Sequence, residues 1–273
     1  MRQRLILSIL ACLVALPATA DEPRRRPLIV GHRGLLQAAP ENTLAAFRAC
    51  LALRLGFEFD IRRTKDGQLV CLHDAALDRT TNGQGLLAEL TLADLSRFDA
   101  GGGLDPVFRG ERIPRVDQIL KLVGEDSGGS AAIIAVDLKE VGGGLEEAVV
   151  RLAEEHKALD RLVFIGLAIE SADVRVRLRA ASKQSHVARL AAAPEQISDV
   201  VADPAADWVY LRFLPPADDV RRIHQAGKRV FLVGPLVAGL EKENWTKAAA
   251  LGVDAILTDY PLELQKLQRE HSQ

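Results

Sequence analysis

The feature that most constrains the fold of this chain is a rhythm of short apolar, β-branched runs. They recur at Leu28–Gly31, Phe57–Ile61, Ala131–Leu138, Leu162–Leu167, His186–Leu190, Trp208–Leu211, Arg229–Val233 and Ala255–Leu257. Segments of helical period lie between them. One opens at Glu41-Asn42-Thr43 and runs through Phe47 and Leu51; others span Leu145–Leu159, Ala217–Ala226 and Glu241–Leu251, the last two stopped at Gly227 and Gly252. Eight buried strands separated by helices predict an α/β chain closed into a (β/α)8 TIM-type barrel, in preference to an open doubly wound sheet. In such a barrel the chemistry gathers at the C-terminal strand ends. Residues 85–130 break the rhythm with Gly101-Gly102-Gly103 and a polar loop, which predicts a small insertion after strand 2. No repeat or Pro/Ser-rich linker divides the rest, so residues 21–273 read as one domain. A chain of 273 residues, 48% of them hydrophobic, can bury a sizeable core without disulfide staples.

The first 20 residues stand apart from that domain. Arg2 and Arg4 form a basic start, Leu5 to Leu16 is almost wholly apolar, and Ala18-Thr19-Ala20 supplies the small residues of a cleavage site. This is the pattern of a secretory signal cut between Ala20 and Asp21, and it predicts a periplasmic or secreted protein. The apolar run is shorter than the roughly 20 residues that cross a bilayer, so no stable membrane span is expected after cleavage. Thirty-five Lys plus Arg against 37 Asp plus Glu give a net charge of −2, with the basic residues scattered, and no nucleic-acid partner is expected. Outside the leader only Cys50 and Cys71 remain, free to pair or to stay buried and reduced.

A hairpin fixes the local geometry more tightly. Phe57–Ile61 is followed by Arg62-Arg63-Thr64-Lys65-Asp66-Gly67 and then by Gln68-Leu69-Val70-Cys71-Leu72, and Asp-Gly between strand-like runs is a strong turn signal. With Asp66-Gly67 as a two-residue turn, Asp60 comes to face His73. Glu58, two residues before Asp60, shares its face.

Other charged groups fall where barrel strands end. Strand one closes on Val30-Gly31-His32-Arg33-Gly34, and a later strand closes on Asp137-Leu138-Lys139. One mouth then holds His32, Arg33, Glu58, Asp60, His73, Asp137 and Lys139. The carboxylates Glu58, Asp60 and Asp137 make a hard oxygen site suited to Ca²⁺ or Mg²⁺, whereas Zn²⁺ favours nitrogen or sulfur. Arg33 and Lys139 suit an anionic substrate, and His32 and His73 provide a proton acceptor and donor near neutral pH. Together they point to phosphoryl transfer rather than glycoside hydrolysis, which needs two carboxylates and no basic clamp. His156, His186, His224 and His271 read as structural, as do Trp208 and Trp245. Asn42 or Thr43 reads as a helix cap, Asp259 as a brace for the last strand, and Asp74, Arg79 and Thr80 as supports of the His73 loop.

The same residues resemble the glycerophosphodiester phosphodiesterase family. The resemblance rests on His32-Arg33-Gly34, Pro40-Glu41-Asn42-Thr43, Glu58-x-Asp60, Thr64-Lys65-Asp66-Gly67, His73-Asp74, Leu77-Asp78-Arg79-Thr80-Thr81, Asp137-x-Lys139 and the closing Gly252–Pro261. It runs from about Leu28 to Pro261. It implies a barrel, one divalent cation, and cleavage of a small-molecule glycerophosphodiester to sn-glycerol 3-phosphate and an alcohol. By resemblance, His32 and His73 are the acid–base pair, Glu58, Asp60 and Asp137 the metal ligands, and Arg33 and Lys139 the phosphate contacts. This chain departs from the family's pattern twice: Asp137 stands where Glu is usual, and Leu232-Val233-Gly234-Pro235 replaces an aromatic followed by Thr. Two alternatives are a lysophospholipase D or sphingomyelinase-type lipid phosphodiesterase, and a non-catalytic periplasmic phosphodiester-binding module.

Overall fold

A computed structural model describes residues 26–127, 132–233 and 239–270. The leader read over residues 1–20, the Gly234-Pro235 step and His271 lie outside the described residues. The strands are β1 (Leu28–Gly31), β2 (Gly56–Arg63), β3 (Leu69–Cys71), β4 (Ile134–Leu138), β5 (Leu162–Ile165), β6 (His186–Ala191), β7 (Trp208–Leu211), β8 (Arg229–Leu232) and β9 (Ala255–Thr258). All but β3 pair in parallel, in the order β1-β9-β8-β7-β6-β5-β4-β2, and β1 also pairs with β2. That last pairing closes an eight-stranded barrel, so the open-sheet alternative is not adopted.

Among the described residues, the helices Val116–Glu125, Ala172–Ala181, Ile197–Ala202 and Pro261–Glu270 are not among those expected from the sequence. Val116–Glu125 falls inside the stretch read as an insertion. It is nevertheless the helix of the second strand–helix unit, burying Val116, Ile119, Leu120 and Val123 at helical spacing.

The packing of β2 explains why its sequence alternates. Phe57, Phe59 and Ile61 face outward and are fully buried, the two phenylalanines against the helix Leu44–Ala52. Phe47 of that helix stacks on Phe57 with ring centroids 4.3 Å apart and meets Phe59 edge-on at 6.1 Å, contacts worth about 0.5–1.5 kcal/mol each beyond the area they bury. Glu58 and Asp60 are thereby turned into the barrel.

The hairpin forms, but its register differs from the expected one. Ile61 pairs with Cys71, Arg62 with Val70 and Arg63 with Leu69, and Leu72 N donates to Asp60 O at 3.2 Å. Asp60 therefore lies opposite Leu72, one residue short of His73. The cause is a three-residue loop, Lys65-Asp66-Gly67. Thr64 pairs with Gln68, Gly67 N donates back to Thr64 O, and Gly67 sits at φ +80°. This is the next most common hairpin connection, a turn followed by a left-handed glycine, and it shifts every later pair by one.

At the opposite, N-terminal end of the barrel, His186 Nδ1 lies 2.5 Å from Asp207 and His224 Nε2 lies 2.8 Å from Asp254. Each of these histidines has one acidic partner, and both acids bind strand starts: Asp207 accepts from Val187 N and Asp254 from Val230 N. Cys50 and Cys71 are both free and buried.

Gly56 lies where β1, β2 and β4 meet. A Cβ there would come within 2.2 Å of Ile133 O and 3.2 Å of Ile29 O, backbone atoms that have no room to yield. Gly56→Ala should therefore lower unfolding stability by about 1–3 kcal/mol in urea titration; an unchanged midpoint would show that the seam is looser than these contacts require.

Candidate functional site

Strand register brings the acidic residues together. Asp60 on β2 pairs directly with Asp137 on β4, and Glu58 lies one pleat below on the same face of β2. One oxygen from each of Glu58, Asp60 and Asp137 falls within 4.8 Å of the others. Gly166, at the end of β5, leaves space for this set: a Cβ there would sit 2.0 Å from Asp137 Oδ1.

Basic groups close over the cluster from two directions. Lys139 Nζ donates to Asp137 Oδ2 at 2.6 Å and lies 2.8 Å from Asp60 Oδ1. Arg33 has a left-handed backbone, φ +54°, which turns its own N–H onto Glu58 Oε2 at 2.9 Å while its side chain reaches Glu41 at 3.1 Å. Arg33 Nε stands 3.8 Å from Asp60. Asn42, also left-handed at φ +56°, donates to Asp60 Oδ2 at 2.7 Å, and its own Oδ1 takes the Cys71 thiol at 3.0 Å. The helix cap is Thr43, whose hydroxyl accepts from Ala46 N. Asn42 is thus a carboxylate holder, and its placement depends on a fold-back loop that short-range pattern does not reveal.

The electrostatics follow from this packing. Burial raises the Glu58 carboxyl well above its ordinary range, and the neighbouring Asp60 and Asp137 charges add to the rise. Burial would raise Asp60 too, but Lys139 and the Asn42 amide together hold it below its usual value. Asp137, with Lys139 but no amide partner, stays raised by burial. Lys139 loses solvation on burial, yet Asp137 and Asp60 hold it more firmly protonated than an ordinary lysine.

Both predicted histidines lie at the mouth, and each is braced by a carboxylate. His32 Nδ1 lies 2.6 Å from Asp259 Oδ1, and His73 Nδ1 lies 2.7 Å from Asp74 Oδ1. In each pair the Nδ1–H donates to the acid, which fixes the ring and leaves Nε2 as the available nitrogen. Asp74 is in turn held by Arg79 Nε at 2.6 Å, and Arg79 bridges to Glu41 at 2.7 and 2.8 Å. His73 reaches the site from the loop after β3, where Arg62 Nε donates to its carbonyl at 2.9 Å. The structure therefore brings all seven predicted residues to one barrel end. The role of Asp259 was missed, because its partner His32 is 227 positions away.

A cavity of about 360 Å³ opens beside the cluster, lined by His32, Asp137, Lys139, Gly166, Tyr210 and Arg212 among others. Beside the acidic cluster the buried Arg33 Nε has no hydrogen-bond partner, while Asp60 Oδ1 is paired with the Lys139 ammonium. A buried donor left unsatisfied next to three clustered carboxylates fits an anion and a cation bound together. The three carboxylates offer the hard oxygens that Ca²⁺ or Mg²⁺ prefers.

Comparison with known proteins agrees with this geometry. The model of the glycerophosphoryl diester phosphodiesterase family matches residues 32–263. A glycerophosphodiester phosphodiesterase of Bacillus altitudinis is 30% identical, the match covering 89% of this chain and 98% of that protein. One of Caldanaerobacter subterraneus is 34% identical over half of this chain, and the match spans 57% of that relative's length. Among solved structures, a glycerophosphodiester phosphodiesterase of Agrobacterium tumefaciens superposes with a TM-score of 0.75 at 25% identity, covering 88% of this chain and 99% of that one. An Oleispira antarctica phosphodiesterase in complex with the product sn-glycerol-3-phosphate superposes with a TM-score of 0.72 at 25% identity, covering 89% and 97%.

The raised Glu58 carboxyl would make cation uptake by this cluster pH-dependent. Its proton is held to higher pH than that of an ordinary carboxylate, and it must leave before a metal can bind. Calorimetric titration with Ca²⁺ or Mg²⁺ should show affinity falling as pH is lowered from 8 toward 5, by up to about tenfold per pH unit where one proton is displaced. Glu58→Gln should weaken binding at every pH; an affinity indifferent to both changes would place the cation elsewhere.

Proposed function

The chain belongs to the glycerophosphodiester phosphodiesterase family, and from that premise we propose that it hydrolyses glycerophosphodiesters to sn-glycerol 3-phosphate and an alcohol, using a divalent cation and two histidines. The observation that carries the reading is the pair of carboxylate-braced imidazoles, His32–Asp259 and His73–Asp74, flanking the cluster of Glu58, Asp60 and Asp137. A family member solved with sn-glycerol-3-phosphate supports the product class.

Glu58, Asp60 and Asp137 are the residues that would hold Ca²⁺ or Mg²⁺, which when bound supplies a Lewis acid for a phosphate oxygen. Asp137, one methylene shorter than the usual Glu, is hydrogen-bonded by Lys139, and Gly166 leaves room beside it. Arg33 and Lys139 bind the non-bridging oxygens and offset the charge that shifts in the transition state. Arg33 Nε, buried and unpartnered, is the N–H available for that contact. One imidazole takes the proton of the attacking hydroxyl, and the other protonates the departing alkoxide. The carboxylates behind them stabilise each ring when it becomes cationic. We also propose that the protein works outside the cytoplasm, a reading supported by the basic start and apolar run of residues 1–20.

Purified protein assayed on glycerophosphoethanolamine should release glycerol 3-phosphate. Chelation should abolish the activity and added Ca²⁺ or Mg²⁺ restore it. His32→Ala and His73→Ala should each lower kcat at least ~100-fold, with both variants still folded by circular dichroism. Near-normal turnover in either would remove that histidine from the chemistry, and ligand binding without turnover in the wild type would make the protein a binding module. Asp259→Asn and Asp74→Asn should lower kcat by about 10–100-fold with little change in KM, the signature of a positioning partner.

A further inference from the structure

A second and larger cavity, about 630 Å³, lies between the loop before the first helix and the inserted loops. Its lining includes Glu41, Arg79, Thr80, Asn82, Asp99 and Arg109. Glu41 and Arg79 belong to the chain of ion pairs that ends on His73, so this cavity adjoins that imidazole, while the cavity of His32 and Tyr210 adjoins the other. A diester held between the imidazoles has two substituents, and each imidazole has a cavity beside it.

The polar groups of the larger cavity are unequally engaged. Glu41 is taken up by Arg33 and Arg79. Asp99 is turned onto the backbone N–H groups of Gly101, Gly102 and Gly110, which hold its carboxyl down at about 2. Arg79 is spent on Asp74 and Glu41. The groups left over are hydrogen-bond donors. Thr80 Oγ1 is buried with no partner. Asn82 uses its carbonyl oxygen to accept from Asp99 N, which leaves its NH2. Arg109 lies at the rim, its guanidinium outside every ion pair among the described residues. No aromatic side chain lines the cavity, so the usual cage for a quaternary ammonium is missing.

Building on the proposed hydrolysis, we infer that this cavity is the subsite for the leaving alcohol, and that Arg109, Asn82 and Thr80 select an alcohol bearing an anion, such as a phosphorylated polyol, over a quaternary ammonium alcohol. Arg109 supplies the charge-assisted, bidentate contact, and the Thr80 hydroxyl and Asn82 amide supply neutral ones.

The test compares kcat/KM for glycerophosphoinositol 4-phosphate with that for glycerophosphocholine. Wild type should favour the phosphorylated headgroup at least tenfold, and Arg109→Ala should reduce that ratio by about tenfold through KM, as expected for losing one hydrogen bond to a charged group. Thr80→Val should reduce it by a smaller factor. A ratio unchanged in Arg109→Ala, or a wild-type preference for choline, overturns the subsite. Calorimetric binding of free inositol 4-phosphate, which needs no turnover, gives an independent reading: binding weakened about tenfold in Arg109→Ala supports the subsite, and equal binding overturns it. Such binding in a protein that turns over no diester would uphold the cavity as an anion-binding site while refuting the hydrolase reading and, with it, the leaving-alcohol role. Arg109 lies exposed in a surface loop, so a thermal melt matching wild type separates loss of contact from loss of fold.

Discussion

The structure is organised around an unfavourable act, the burial of three carboxylates within bonding distance of one another. Left alone, Glu58, Asp60 and Asp137 would repel and take up protons, and the raised Glu58 and Asp137 carboxyls are the residue of that tendency. The barrel meets the cost locally. Lys139 lies between two of the acids, Asn42 hydrogen-bonds the Asp60 carboxylate, and the backbone of Arg33 is bent into a left-handed turn so that an N–H meets Glu58. The compensation is incomplete, since one ammonium serves two of three clustered carboxylates and Arg33 Nε stays without a hydrogen-bond partner. Incomplete neutralisation is what a site for a cation and an anionic substrate requires, because full pairing within the protein would leave nothing for a ligand to gain.

Around this charged centre the two histidines are treated alike though the acids that brace them come from distant parts of the chain. Asp259 follows the last strand and Asp74 follows His73 itself, yet both take the same ring nitrogen. The carboxylate behind His73 is itself held by Arg79, while beside Asp259 the Tyr260 N–H donates to the Thr258 hydroxyl and fixes the backbone. Rings fixed in this way lose little entropy on reaching the transition state, and the carboxylate favours the protonated ring when the proton arrives.

Much of this was legible in the sequence because the signals were short-range. The parallel strands were visible as apolar runs, and Glu58-x-Asp60 and Asp137-x-Lys139 needed only the two-residue period of a strand to be placed on common faces. What the sequence hid was set by geometry over longer distances. The hairpin register slipped because Gly67 takes a left-handed φ and enlarges the loop to three residues; Asp-Gly alone does not distinguish that turn from the two-residue kind. Asn42 read as a cap because Asn and Thr are equally good caps, and only the fold-back of Asn42 N onto Arg33 O assigns the cap to Thr43 and frees Asn42 for Asp60. The helix Val116–Glu125 was overlooked because it follows a glycine-rich polar loop, although its buried positions keep the expected period.

The placement of the two cavities bears on how specificity can vary without endangering the chemistry. The acids, Lys139 and His32 stand on or just beyond barrel strands, where register fixes them within the sheet. The larger cavity is built from loop residues instead, and loops tolerate change. The Arg79 guanidinium links the larger cavity to the catalytic pair, contacting Glu41 in the cavity wall and Asp74 behind His73. A headgroup that drew Arg79 toward itself would loosen Asp74 and with it the imidazole, so recognition at Arg79 would act against catalysis. Arg109 carries no such obligation. A cation outside the positioning chain can be gained, lost or re-aimed with only the leaving group affected, which is why discrimination among alcohols falls to the inserted loop rather than to the barrel.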